Sequence, residues 1–263
     1  QIQQLAIGNG QAIAANVSVV VILQAKRAWS EEDFRPLKEW IVGGGNVLWL
    51  ADAGGMPIDA LAAILGVTPE PGLLVDPSSR LNGKPTPEFI VVNGYGSHVV
   101  TKDLPGFSAF PTATSLAWEA PAGWHFTGIA ATGLRAWRES GDLSKALRFD
   151  ASEDTVGPLD IALAGHRPHP SGQGEQRIMV FGDIDFLSNA YLGLGANREL
   201  GSNAFNWLNG DDDVLSVPVV MAQDLDYKPN QTARSVIALG APIVLPLALL
   251  AFGLLRWRAR RLR

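Results

Sequence analysis

Residues 16–51 decide the fold: they begin NVSVVVIL (16–23), continue SEEDFRPLKEWIVGGG (30–45) and end NVLWLA (46–51). The two apolar runs are rich in β-branched residues, which is typical of strands buried on both faces of a parallel sheet. The segment between them predicts a helix that Ser30 caps and that three glycines end. We interpret the whole stretch as one β-α-β unit with a right-handed crossover.

A later apolar run repeats the pattern of a buried strand followed by an acidic turn. RIMVFG (177–182) leads into Asp183 and Asp185, much as the run 46–51 leads into Asp52. Residues 71–170 differ in character, because short apolar runs alternate there with Gly, Pro, Asn and Ser. We predict strands in this middle part at residues 88–92, 115–118, 125–131 and 159–164. It is either a β-rich insertion or the continuation of a mainly parallel sheet.

The end of the chain predicts a membrane anchor. The twenty residues 236–255 carry no charge, and a helix of that length spans ~30 Å, the thickness of a bilayer's hydrocarbon core. Clustered arginines follow, which favours a cytoplasmic location for the tail and an extracytoplasmic one for the rest. The anchor residues expected to pack against neighbouring helices or to face the cytoplasm are Gly240, Pro242, Pro246, Gly253, Arg256 and Arg258.

The predicted organisation therefore has four parts. Residues 1–223 form an extracytoplasmic α/β domain, 224–235 a connector, 236–255 a transmembrane helix and 256–263 a basic cytoplasmic tail. The localisation that follows is the cytoplasmic (inner) membrane, with one C-terminal span. Because no signal peptide is visible before a body that must be exported, we expect that an N-terminal portion is missing.

Composition and motifs exclude several classes of function. The chain has no cysteine, which rules out thiol catalysis and thiolate metal sites. Its 21 lysines and arginines include five in the tail, which leaves 16 against 26 acidic residues and disfavours nucleic acid as a partner. There is no G-x-S-x-G elbow and no phosphate-binding G-x-x-x-x-G-K-[ST]. We predict no cofactor and no enzymatic activity.

Asp183 and Asp185 are the strongest candidates for a functional site. They form D-x-D at the carboxyl end of a predicted parallel strand, where open α/β sheets place their ligands. Two carboxylates there can bind a cation or act as acid and base. The structural interpretation is that Asp183 caps the following turn while Asp185 faces water. Asn189 and Asn206 are further candidates for contact with a ligand or a partner.

Several motifs in order resemble one known family. They are GSHVVTKDL (96–104), RIMVFGDIDFLSN (177–189) and NAFNWLNGDDDVLSV (203–217), followed by the terminal apolar run with its arginines. This combination resembles the GldG-like, gliding-motility type of auxiliary subunit of ABC transport systems. The resemblance implies an extracytoplasmic α/β domain of flavodoxin-like or glutamine-amidotransferase-like topology, without amidotransferase chemistry. This sequence lacks the family's N-terminal transmembrane segment and the first part of its domain.

The resemblance also implies the partners. We expect a membrane-anchored, non-enzymatic auxiliary subunit that contacts an ABC permease, its ATPase subunit, the lipid bilayer and a second similar domain. Two alternatives stay open. One is an anchored periplasmic hydrolase or carbohydrate-binding protein that uses Asp183 and Asp185, and the other is a receptor domain for an extracellular ligand.

Overall fold

A computed structural model describes residue 4 and residues 12–25, 27–81, 83–143, 145–211 and 241–261. The chain divides into two units, Gln1–Pro218 and Val219–Arg263. The strands of the first unit are β1 (Val19–Ile22), β2 (Asn46–Leu50), β3 (Val67–Pro69), β4 (Leu73–Val75), β5 (Arg80–Leu81), β6 (Lys84–Pro85), β7 (Phe89–Val92), β8 (Ser108–Pro111), β9 (Leu116–Trp118), β10 (His125–Ala131), β11 (Trp137–Glu139), β12 (Thr155–Val156), β13 (Asp160–Pro168) and β14 (Glu175–Phe181). Its α-helices are α1 (Glu31–Val42), α2 (Asp59–Leu65) and α3 (Asn197–Leu208), and its 3₁₀ helices are η1 (Val99–Thr101) and η2 (Asp185–Leu187).

The first β-α-β unit forms as the sequence predicts. β1 and β2 pair in parallel, with Val20 opposite Val47. At the start of α1, the hydroxyl of Ser30 accepts from the amide of Asp33 at 3.2 Å, and the Asp33 carboxylate accepts from the amide of Ser30 at 3.0 Å. This reciprocal capping box satisfies two amides that the first helical turn leaves without partners.

The central sheet is mixed, so the predicted mainly parallel, flavodoxin-like or glutamine-amidotransferase-like fold is wrong. Its order is β1-β2-β14-β13-β10. β1, β2 and β14 run in parallel, whereas β13 is antiparallel to both β14 and β10. The smaller sheets β12-β11-β4, β3-β9, β5-β6 and β7-β8 are antiparallel throughout. The described part of this unit is a mixed α/β fold with small antiparallel sheets.

A short loop explains the reversal of direction. β13 and β14 pair from Ala162 opposite Phe181 down to Pro168 opposite Glu175, and only residues 169–174 connect them. The amide of His169 donates to the carbonyl of Gly174 at 3.0 Å, which closes the hairpin. A parallel connection needs a dozen residues or more, so a loop of this length joins antiparallel strands.

Two apolar cores lie on opposite faces of the central sheet. Leu48 and Leu50 of β2 contribute to one core, which α3, η2 and β7 and β8 cover. Val47 and Trp49, which alternate with them, contribute to the other, which α1 and α2 cover. Since side chains of a strand alternate between faces, β2 is apolar throughout because both of its faces are buried.

The second unit contains helix α4 (Ala241–Arg261), which corrects the predicted anchor. In the parts of the chain that the structure describes, no helix is long and apolar enough to cross a membrane. This finding contradicts the predicted transmembrane helix and inner-membrane localisation. Residues 236–240 of the predicted span, with Gly240, lie outside the described residues, and Pro242, Pro246, Gly253, Arg256 and Arg258 lie in α4.

Candidate functional site

Two parallel strands of the central sheet end side by side in aspartates. Leu50 of β2 pairs with Phe181 of β14, and the amide of Ala51 donates to the Phe181 carbonyl at 2.8 Å. Asp52 and Asp183 each lie two residues further along. Leu50 and Phe181 both contribute to the core that α3 covers, and the charge of Asp52 acts on Asp183, so the two aspartates lie near each other. We call this edge, with Asp185 of η2, the carboxylate edge.

Asp183 is fully buried, and only one of its two carboxylate oxygens has a hydrogen-bond partner. Its exposed fraction is 0%. Oδ1 accepts from the amide of Asp185 at 2.6 Å and from that of Phe186 at 3.2 Å, so it caps the turn into η2. Oδ2 has no partner among the described residues. The capping role matches the structural interpretation of the D-x-D sequence, but it accounts for only half of the carboxyl group.

The three carboxylates interact unfavourably. Burial raises the pKa of Asp183 to about 8, and the charges of Asp52 and Asp185 add to this, while the two amide donors oppose it. Burial also raises the pKa of Asp52 to about 6, with a further contribution from the charge of Asp185 and an opposing one from the amide of Ala53. At neutral pH Asp183 is therefore mostly protonated and Asp52 mostly ionised.

Neither a group of metal ligands nor an ion pair is found at this edge among the described residues. Across the described ranges, no group of three or more His, Cys, Asp or Glu side chains is placed to hold a metal ion. None of the ion pairs within those ranges involves Asp52, Asp183 or Asp185. The edge is therefore acidic and has no cationic side chain bound to it within the described structure.

The other predicted site residues do not join this edge. Asn189 is exposed, four residues beyond Asp185. Asn206 lies near the end of α3, where its backbone carbonyl accepts from the amides of Asn209 and Asp211. That end of α3 lies at the start of β2, since the side chain of Asn46 donates to the Leu208 carbonyl at 2.7 Å. Asn206 is thus at the opposite end of the sheet from Asp183.

The sequence analysis missed two polar residues that the structure makes prominent. Asp52 is one, and the repeated pattern of strand and acidic turn was the signal that pairs it with Asp183 once β2 and β14 are neighbours. Asn197 is the other: it is fully buried, and its amide exchanges two hydrogen bonds of 2.9 Å with the backbone of Ala109. No sequence signal indicates that contact, because it joins residues 88 positions apart.

The amino end of the same parallel strands contains a cavity of about 510 Å³. Trp40, Asn46 and His169 help to line it. The polar groups around it are hydrogen-bonded: Asn46 accepts from the Arg177 amide at 2.8 Å, and buried Gln176 donates to the carbonyls of Ile41 and Gly45, each at 2.8 Å. We therefore place the candidate site at the carboxylate edge, where buried oxygens lack partners, and not at this cavity.

Solved structures with a similar fold are distant in sequence. The mmIFT52 N-terminal domain is 17% identical, with a TM-score of 0.56 over 74% of this chain and 78% of that chain. Putative ThuA-like proteins from Bacteroides uniformis and Parabacteroides merdae are 13% and 14% identical, each with a TM-score of 0.39. They cover 72% and 76% of this chain and 68% and 73% of their own. The first of these likenesses supports the fold alone.

The family comparison is more extensive. A comparison with curated proteins finds no match. The family described as "ABC-type uncharacterized transport system" matches residues 1–216, which contain β1 to β14, α1 to α3 and all three aspartates of the carboxylate edge. The chain therefore belongs to this family of auxiliary components of ABC-type transport systems.

Proposed function

We propose that the chain is a non-enzymatic auxiliary subunit of the gliding-motility, GldG-like type, which contacts the permease or another subunit of its transport system through the carboxylate edge. The observation that carries this proposal is the uncompensated charge of Asp52 and Asp185 beside the buried carboxyl group of Asp183. Three carboxyl groups whose charges act on one another, one of them fully buried, have no ion-pair partner in the described structure. A basic side chain from a partner subunit supplies the missing charge.

The energetic gain from such a contact is substantial. Opposite unit charges 4 Å apart attract by ~4 kcal/mol at the effective dielectric constant of ~20 that applies near a protein surface. Asp52 and Asp185 are only partly buried and are accessible to a partner, whereas Asp183 lies beneath them. A lysine or arginine placed against Asp52 and Asp185 therefore relieves the repulsion within the edge.

Co-purification tests this function. The full-length chain, its permease and its ATPase are co-expressed, and the tagged chain is captured in detergent. We expect the wild type to retain the permease, and the double variant Asp52→Asn with Asp185→Asn to retain at least tenfold less. Asp211→Asn is the matched control, because Asp211 is an exposed aspartate beyond α3 at the other end of the sheet. If the wild type captures neither transport subunit, the proposal fails.

A hydrolase that uses the same carboxylates is the second candidate. The observation in its favour is the separation of the pKa values, about 8 for Asp183 and about 6 for Asp52, since an acid and a base of unequal pKa are what such chemistry requires. A panel of glycoside and ester substrates tests it. Hydrolysis that disappears in both Asp183→Asn and Asp52→Asn, with thermal stability unchanged, supports an enzyme. No hydrolysis by the wild type rejects it for those substrate classes.

A further inference from the structure

Two buried carboxylate oxygens at the carboxylate edge lack hydrogen-bond partners. They are Oδ1 of Asp52 and Oδ2 of Asp183, and they are the two members of the edge for which the described structure leaves an oxygen unsatisfied. Paired strands lie about 4.8 Å apart, and both aspartates follow the paired strand ends Leu50 and Phe181. The two orphaned oxygens thus belong to neighbouring carboxyl groups.

A buried oxygen without a partner costs free energy, so each of these needs a donor or a cation. A cationic side chain cannot reach Asp183, because Asp183 has no exposed surface. A metal ion finds no set of three carboxylate or imidazole ligands in the described ranges. A proton occupies no additional volume, and one proton can be shared between two neighbouring carboxyl groups.

We propose that Asp52 and Asp183 hold one proton between them, which Oδ2 of Asp183 donates to Oδ1 of Asp52. This proton sets the charge of the carboxylate edge, the surface through which the chain docks on its partner. The O–H of protonated Asp183 is the donor, and ionised Asp52 is the acceptor. Oδ1 of Asp183 keeps its two amide donors from Asp185 and Phe186, so the cap of η2 is compatible with this state.

The surroundings of the pair favour the protonated state. Asp52 lies after β2 and Asp185 in η2, and the charges of both raise the pKa of Asp183. Behind Gly182 lies the backbone of Thr114, whose carbonyl would contact any side chain added at Gly182. The hydroxyl of Thr114 donates to the carbonyl of Glu70, and the carboxylate of Glu70 pairs with Arg138. The guanidinium of Arg138, on this side of the two aspartates, is therefore already neutralised by Glu70.

The consequence is a docking surface whose charge changes with pH. With one proton on the pair, the edge carries two negative charges, from Asp52 and Asp185. Protonation of Asp52 in mild acid lowers this to one, and loss of the shared proton in mild base raises it to three. The docking consequence rests on the proposed function, and a basic partner then binds more weakly as pH falls from 7 to 5.

The proton itself is tested on the isolated full-length chain, without any partner. Aspartate labelled with ¹³C at the side chain gives the C=O stretching band of a protonated carboxyl group by infrared spectroscopy. We expect that band at pH 7 in the wild type, its loss in Asp183→Asn and its retention in the Asp211→Asn control. In Asp52→Asn we expect it to persist with an altered frequency, because the acceptor has changed. A band absent at pH 7, or unchanged in Asp183→Asn, overturns the proposal.

Docking is measured separately, as capture of the permease at pH 5, 6 and 7. We expect at least a fivefold fall in capture by the wild type between pH 7 and 5, and a smaller fall in Asp52→Asn, which has already lost the titrating charge. A constant capture ratio overturns the link between the proton and docking. If the infrared band is present but no permease is captured at any pH, the proposed function fails while the shared proton stands.

Discussion

The two ends of the central sheet are built from the same three parallel strands and differ in how their polar groups are satisfied. At the amino end, the side chains of Asn46 and Gln176 together make five hydrogen bonds, four to backbone groups and one to the side chain of Arg167. At the carboxyl end, Asp52 and Asp183 each retain a buried oxygen without a partner. The buried polar side chains named at the amino end are hydrogen-bonded, whereas those at the carboxyl end leave two oxygens without partners.

The difference separates stability from function. Groups such as Gln176 hold α1 and the sheet together, and a side chain that satisfies buried carbonyls is explained by that role alone. A buried carboxyl group whose ionised form is destabilised by its surroundings has no such explanation. Such groups cluster at functional sites, where a ligand, a partner or a proton compensates the charge.

The largest expected effect is on the pH dependence of stability. The pKa of Asp183 is raised from 3.8 to about 8 in the folded chain, so between these values the folded state binds more protons than the unfolded state. Unfolding free energy therefore falls as pH rises through this window. At about 1.4 kcal/mol per pKa unit, the wild type loses several kcal/mol between pH 5 and 9 by chemical denaturation.

Asp183→Asn removes most of that slope. The amide keeps an oxygen for the amides of Asp185 and Phe186 and supplies an N–H for Asp52, so it resembles the protonated acid. We expect its stability to match the wild type near pH 5 and to exceed it at pH 9. A variant that is less stable than the wild type at pH 9 contradicts this prediction, and Asp211→Asn shows the effect of losing an exposed carboxylate.

The next effect concerns the amino end. Gln176→Leu removes an amide that is fully buried and leaves the carbonyls of Ile41 and Gly45 without their donor. We expect a loss of ~3 kcal/mol in unfolding free energy that does not vary with pH. Gln173→Leu, an exposed site in the loop between β13 and β14, is the control and should change stability by less than ~0.5 kcal/mol. A loss below ~1 kcal/mol in Gln176→Leu would contradict the contrast between the ends.

Asp183→Ala separates the cap from the charge. It removes the acceptor for the amides of Asp185 and Phe186, at 2.6 and 3.2 Å, and loss of a side-chain cap costs ~1 to 2 kcal/mol. It also removes the buried carboxyl group, so the cost should be visible at pH 5 and should diminish at pH 9. Urea denaturation at both values measures it. An equal cost at the two pH values would show that the carboxyl group is not destabilising when ionised.

The smallest effect is expected at Asn189. Its side chain is exposed, so Asn189→Ala should change unfolding free energy by less than ~0.5 kcal/mol. If the docking surface extends along the loop after η2, capture of the permease should fall two- to threefold. Unchanged capture would confine the surface to Asp52 and Asp185. Asn206→Ala, at the other end of the sheet, is the comparison.

The sequence predicted the strands better than it predicted their directions. The predicted strands at 88–92, 115–118 and 125–131 lie within one residue of β7, β9 and β10 at each end, because apolar runs between turn residues mark extended segments. The prediction of a mainly parallel sheet was wrong for β13 and β10, since an apolar run indicates burial on both faces and carries no information on orientation. The six-residue loop 169–174 contained that information.

The predicted anchor failed for a related reason. In the sequence an apolar run is followed by arginines, and we predicted that the helix ends where the arginines begin. The helix Ala241–Arg261 instead includes arginines in its last turns, so hydropathy alone did not show where the helix ends. Among the described residues, no helix is long and apolar enough to cross a membrane.

By itself the sequence determined the apolar strands, the capping box of Ser30 and Asp33, and the acidic turns after β2 and β14, because each depends on residues close together in the chain. Only the tertiary structure decided that β2 and β14 are neighbours, which brings Asp52 and Asp183 together across 131 positions of sequence. Burial then raised the pKa of Asp183 to about 8. Charge repulsion and desolvation depend on distance in space, which no local pattern of residues specifies.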